Sequence, residues 1–173
     1  MNQVIDAIHA ACIGQTTIAT PLGPLLLART QAGLAGAWFE SQRHHPGHIA
    51  ADEVPNDPLL RRAAAQLREY FNTERAGFDL PLDLHGTPFQ RTVWIALQRI
   101  AAGCTASYAA LARTIGAPQA VRAVGAAVGR NPLSVIVPCH RALGSDGSLT
   151  GYAGGIERKR ALLALEAREP MLA

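Results

Sequence analysis

The chain has 173 residues, 49% of them apolar and 17% charged, which are the proportions of one or two compact units with a real core rather than of a disordered chain. No apolar run is long enough to cross a bilayer, and the start, Met1 to Gly14, lacks a basic leader and carries Asp6 and His9, so a secretory signal is not expected. A formal charge of +3 permits a polyanionic partner without requiring one, and three scattered cysteines, Cys12, Cys104 and Cys139, fit neither a disulfide framework nor a metal-binding pair, which implies a reducing, cytoplasmic setting.

In chain order, the first third reads as β: Thr16 to Thr20, a Pro21-Leu22-Gly23-Pro24 turn, Leu25 to Arg29, and a third strand over Gly33 to Phe39. Ser41 to Asp57 is rich in His, Pro and Gly and reads as a loop. Its His44, His45 and His48 lack a Cys or carboxylate at ligand spacing, so no metal site is assigned. Pro58 to Asn72 carries a helical apolar stripe through Leu60, Ala63, Ala64, Leu67, Tyr70 and Phe71, and Phe78 to Leu84 reads as a short extended stretch that closes a first unit, 1–85.

A second unit, 86–173, opens at Thr87-Pro88-Phe89-Gln90, a capping box with Pro at the first helical position, and its helix runs toward a stop near Gly103. Ser107 can cap a helix over Tyr108 to Ile115. After Gly116 and Pro118 another covers Gln119 to Gly129, so the pair reads as a helix-turn-helix. Leu133 to Val137 is a β-branched run read as a strand leading to Pro138-Cys139-His140-Arg141. A Gly-rich loop, Gly144 to Gly155, precedes a last helix, Ile156 to about Glu166. The fold class is therefore α/β: a small antiparallel sheet with one long helix, then a mostly helical unit.

The helix from Arg122 to Gly129 consists almost wholly of small residues, which suits close packing in a core. From this stretch alone that is the simpler reading; the sharper one is a recognition helix slim enough for the DNA minor groove, with Arg122 as its one long side chain. Cys139 invites a similar choice. A reactive cysteine must be a thiolate, which needs imidazole, cationic or dipolar support. His140 is adjacent, but neighbouring side chains diverge, so a relay through water fits better than a direct ion pair, with Glu166 as the group that orients the imidazole. On Cys-His alone, a buried inert cysteine is the simpler reading, and for Cys12 and Cys104 it is adopted.

The ordered run Arg122-Ala-Val-Gly, Arg130-Asn131-Pro132, Val137-Pro138-Cys139-His140-Arg141, Gly144-Ser-Asp-Gly, Gly151-Tyr152-Ala-Gly-Gly and Leu162-Leu163-Ala-Leu165-Glu166 closely resembles the O6-alkylguanine-DNA alkyltransferases. The match spans about Thr87 to Glu166. The first unit resembles more loosely the ribonuclease H-like domain of that family, and the second its winged-helix-like domain. The resemblance implies a single-use alkyl transfer from O6-alkylguanine, and from O4-alkylthymine, in double-stranded DNA bound through the minor groove by a monomer that needs no cofactor or metal.

Cys139 would then be the acceptor, activated by His140 through water, with Glu166 holding His140. Tyr108 would press on the target phosphate and donate a proton toward guanine N3. Arg122 would fill the gap left by the flipped base, with Ala123 and Ala126 against the DNA. Asn131 would tie the helix-turn-helix to the acceptor segment. Cys139 and Ala142 would offer carbonyls to the guanine amino group, and Tyr152, Ala153 and Val128 would line the pocket. Some members have Pro on the pocket wall where this chain has Ser134. Two readings from other classes stand beside this one: a helix-turn-helix damage-binding module with an inert cysteine, and a multiple-turnover cysteine hydrolase.

Overall fold

Three strands, β1 (Gly14–Ile18), β2 (Leu25–Arg29) and β3 (Leu34–Phe39), form an antiparallel sheet in chain order in the computed structural model, which describes residues 3–167. The hairpin between β1 and β2 closes where Thr20 Oγ1 donates to Gly23 O at 2.6 Å and accepts from Leu22 N. Thr20 thus belongs to the turn rather than to the strand expected over Thr16 to Thr20.

A helix, α1 (Gln3–Ala11), precedes the sheet, where the sequence reading placed no element. Val4 and Ile8, one turn apart, are its buried face. The long helix α2 (Pro58–Phe71) starts at Asp57, whose carboxylate accepts from Leu59 N and Leu60 N and also pairs with Arg29 at 3.0 Å. Its stripe of Leu60, Ala63, Leu67 and Tyr70 is buried. The stretch Phe78 to Leu84 pairs with the sheet at a parallel bridge, through Leu34 N to Pro81 O and Asp83 N to Leu34 O.

The second half is mostly helical: α3 (Pro88–Leu97), α4 (Tyr108–Thr114), α5 (Val121–Gly129) and α6 (Ile156–Glu166). The Thr87/Gln90 capping box forms with both of its hydrogen bonds, and Ser107 caps α4 through Ala110 N at 3.0 Å. Helix α5 begins at Val121 rather than Gln119, and Ala120 offers no side-chain cap. A parallel two-residue pair, β4 (Ala106–Ser107) with β5 (Ala142–Leu143), was not foreseen; it is too short to leave a pattern in sequence. Trp94 joins α3 to α5, its Nε1 donating to Ala127 O at 2.8 Å, and one hydrophobic core runs through both halves.

The expected strand over Leu133 to Val137 is instead a buried turn. Only Leu133 bridges to the sheet, with Ala37 N donating to Pro132 O and Ser134 N to Ala37 O, both at 2.9 Å. Val137 N then turns back to Leu133 O, and Val135 sits at φ 72°. A β-branched residue rarely adopts that conformation. The apolar run is buried because it lies where the halves meet, and burial, not extended pairing, is what its composition encodes.

Candidate active site

The turn is held by one side chain. Asn131 Oδ1 accepts from Leu133 N at 2.9 Å, while Nδ2 donates to Val137 O at 2.8 Å, to Leu133 O at 3.3 Å and to Cys139 Sγ at 3.1 Å. Cys139 opens a single turn of 3-10 helix, Cys139–Arg141, and is 4% exposed. Burial pushes its thiol up to about 11. The Asn131 amide, the Lys159 ammonium and the backbone N–H groups of Cys139 and His140 all favour the thiolate and oppose that rise. Cys12 is also pushed up to about 11, by burial and by the Asp83 carboxylate, which act in the same direction. Cys104 is exposed. The thiols therefore differ in their supporting groups, and only Cys139 stands in a cradle of donors.

Behind Cys139 lies a buried charge cluster. His140 Nε2 bonds Glu166 Oε1 at 2.7 Å, with side-chain exposures of 0% and 2%. Arg141 grips the same carboxylate through Nη2 to Oε1 at 2.8 Å and Nε to Oε2 at 2.9 Å. Tyr70, from α2, donates to Oε1 at 2.6 Å. Burial alone would raise the Glu166 carboxyl, but the His140, Arg141 and Tyr70 bonds prevail and hold it far below the ordinary carboxylate range. His140 is lowered, by burial first and by Arg141 and Lys159 next, against the pull of Glu166. A neutral imidazole results, and its Nδ1 is buried without a protein partner.

Lys159, fully buried in α6, donates to Ala142 O and, at 2.8 Å, to Thr150 O; burial lowers it to about 8. Tyr108 donates to the same Thr150 carbonyl at 2.9 Å. Gly151 follows at φ 71°, where a Cβ would stand 2.8 Å from the Tyr108 hydroxyl, so only glycine fits. Tyr152 is buried with an unpartnered hydroxyl, its ring edge-on to His140 at 6.5 Å. The wall residue Ser134 donates to Gln42 of the first half at 3.0 Å, and the Ala153 carbonyl accepts from Arg43 N.

The residues singled out in sequence thus divide into two groups. Asn131 meets Cys139 and Glu166 meets His140, the two pairs adjoining through the Cys139–His140 peptide; Ala142 and Tyr108 are linked through Lys159 and Thr150, and Tyr152 lies beside His140. Arg122, Ala123 and Ala126 lie apart, on the exposed face of α5, whose opposite face buries Val124, Ala127 and Val128. Val128 therefore sits in the core. The carbonyls of Cys139 and Ala142 already accept internal bonds, from Ala142 N and from Lys159.

Sequence reading missed Lys159, Tyr70 and Gln42. Lys159 sits inside Arg158-Lys159-Arg160, which looks like a solvated charge run; its one signal is the seven-residue spacing to Glu166, which places both on one helical face. Among the described residues no group of three or more His, Cys, Asp and Glu could hold a metal ion, and no helix is long and apolar enough to cross a membrane.

A buried thiol in a cradle of donors, with a buried His–Glu pair next to it in the chain and a helix whose exposed face is mostly small residues, defines a cysteine-centred protein. Two family models match: 6-O-methylguanine DNA methyltransferase, ribonuclease-like domain, over 13–84, and 6-O-methylguanine DNA methyltransferase, DNA binding domain, over 88–168. The methylated-DNA–protein-cysteine methyltransferase of Mycobacterium tuberculosis (strain H37Rv) is 49% identical over 150 residues, covering 87% of this chain and 90% of that protein. That of Methanosarcina barkeri is 47% identical over 149 residues, covering 86% and 94%. The crystal structure of Mycobacterium tuberculosis OGT in complex with DNA superposes with a TM-score of 0.81 at 47% identity, covering 90% and 93%. The chain belongs to the methylated-DNA–protein-cysteine methyltransferase family.

Proposed function

We propose that this chain repairs duplex DNA by direct reversal, moving the alkyl group of O6-alkylguanine, and of O4-alkylthymine, onto Cys139 once per chain. The observation that carries the reading is the 3.1 Å contact between the Asn131 amide and Cys139 Sγ, at a thiol backed by the buried His140–Glu166 pair. The Cys139 proton passes through a bridging water to the neutral His140 imidazole. Sulfur attacks the alkyl carbon, and the carbon–O6 bond breaks with its electron pair left on guanine. Tyr108 donates a proton toward N3, restored later from solvent, so the base leaves neutral. The thioether has no easy leaving route, so the protein is spent.

The target base must leave the stack to reach a buried sulfur. The exposed Arg122, Ala123 and Ala126 face of α5 enters the minor groove as the second helix of a helix-turn-helix, with Arg122 holding the gap. Residues 86–173 form the DNA-binding and acceptor domain and 1–85 its support, although 1–2 and 168–173 lie outside the described residues. The protein acts in the cytoplasm as a monomer.

Peptide mapping after incubation with O6-methylguanine duplex tests the reading. One methyl group per chain, on Cys139, is expected. Methylation of Cys12 or Cys104 overturns the acceptor assignment, no transfer supports a binding module, and methanol beyond one equivalent supports a hydrolase.

A further inference from the structure

The acceptor site draws one of its groups from the other half of the molecule. Tyr70 lies in the last turn of α2, 2% exposed, its ring 5.4 Å from both Phe71 and Phe78. Its hydroxyl reaches Glu166 Oε1 at 2.6 Å, the oxygen that also takes His140 Nε2 and Arg141 Nη2. That oxygen thus serves three donors, and charge given to one is withheld from the others.

We propose that Tyr70 is a positioning residue of the alkyl-transfer site, setting through Glu166 how strongly His140 can take the thiol proton. The proposal rests on the alkyl-transfer reading above. The charged and titratable groups around the imidazole are Glu166 and Lys159 from α6, Cys139 and Arg141 from its own turn, Tyr152 from the Gly-rich loop, and Tyr70 behind Glu166. Burial and the two cations push the imidazole toward the neutral form, and Glu166 pulls the other way. By sharing Oε1, Tyr70 weakens that pull and keeps the ring an empty proton acceptor near neutrality.

Removing the hydroxyl leaves Glu166 to act more strongly on His140, so the ring holds its own proton to higher pH. Tyr70→Phe keeps the ring packing. Single-turnover transfer from O6-methylguanine duplex should show an acid limb moved upward by about half a unit to one unit, roughly three- to ten-fold slower on that limb and near wild type on the plateau. Site-specific Tyr70→3,5-difluorotyrosine, a stronger donor of the same shape, should move the limb downward and serves where Tyr70→Phe does not fold. A profile scaled down equally at every pH in both variants, or unchanged in both, overturns the proposal. Absence of transfer by the unmodified protein overturns the alkyl-transfer reading instead.

Discussion

Asn131 touches the sulfur of Cys139 with the same amide nitrogen that pins the carbonyls of Leu133 and Val137, so one side chain both shapes the turn before Cys139 and donates to its sulfur. Asn131→Asp exchanges those donors for acceptors and puts a negative charge beside the sulfur. Alkyl transfer should fall by at least about 100-fold, the scale of one preorganised donor, and the thiol should titrate above its wild-type value. The pH dependence of Cys139 carbamidomethylation by iodoacetamide measures the second effect. A thiol no harder to ionise in the variant means that Asn131 only holds the turn.

How far the sequence could carry this site depends on how local each relationship is. The capping box at Thr87 and Gln90 and the Ser107 cap were legible because both partners lie within one helical turn. Helix α1 was not, since its buried face is little more than Val4 and Ile8 in a short Ala-rich stretch. Leu133 to Val137 was misread because a buried turn and a buried strand share the same apolar, β-branched composition. What separates them is the Asn131 side chain, whose bonds cannot be read from periodicity. Tyr70 and Glu166 stand 96 positions apart, and Tyr70 passed for an ordinary member of an apolar stripe.

Glu166 ties stability to acidity. Its carboxyl titrates far below the ordinary range in the folded protein, so its contribution is complete above the unfolded-chain value, near 4.5, and is lost as pH falls through the folded value. Glu166→Gln removes the charge that Arg141 and His140 face, and breaking a buried pair costs about 3–5 kcal/mol. Urea titrations should show that gap between wild type and variant at neutral pH and a narrowing gap below about pH 4. A gap independent of pH would falsify the assignment of that stability to the ionised carboxylate.

Arg122 and the acceptor cluster should separate functionally. Arg122 is exposed on α5 and makes no bond to the site, so Arg122→Ala should slow repair of duplex DNA more than reaction with free O6-benzylguanine, which needs no extrusion. Equal losses on both substrates would assign Arg122 to folding or to thiol activation.

Ala126 is exposed on the same face as Arg122 and Ala123. Ala126→Trp should leave the melting temperature within a few degrees, since exposed substitutions change stability by about half a kcal/mol. Duplex affinity should drop more than ten-fold if the narrow groove must take that face, while phosphate contacts keep the remaining binding salt-dependent. Unchanged affinity in a gel-shift assay places the DNA elsewhere.

Lys159 makes the sharpest claim about pH. Its ammonium is fully buried, joined to the Ala142 and Thr150 carbonyls, and burial lowers it to about 8 from an ordinary 10.5, against the influence of Cys139. Below about 8 both the folded and unfolded chains carry the charge, and folding bears the full cost of burying it. As pH rises from there toward 10.5 the folded protein releases the proton first, the unfolded chain binds more, and stability rises. The neutral amine still has two hydrogens for its two carbonyls, so the bonds survive the titration. Lys159→Met lacks both the charge and the bonds. Wild type should therefore gain stability relative to this variant across that window, as read from paired urea titrations, and the other titrating groups cancel in the difference. Alkyl transfer by the variant should be at least about ten-fold slower at neutral pH, because the cation that favours the thiolate is gone and the Thr150 carbonyl is left to Tyr108 alone. A stability difference that stays flat from 8 to 10.5 means that Lys159 keeps its proton throughout, and a variant that transfers at the wild-type rate removes the lysine from the thiol's electrostatics.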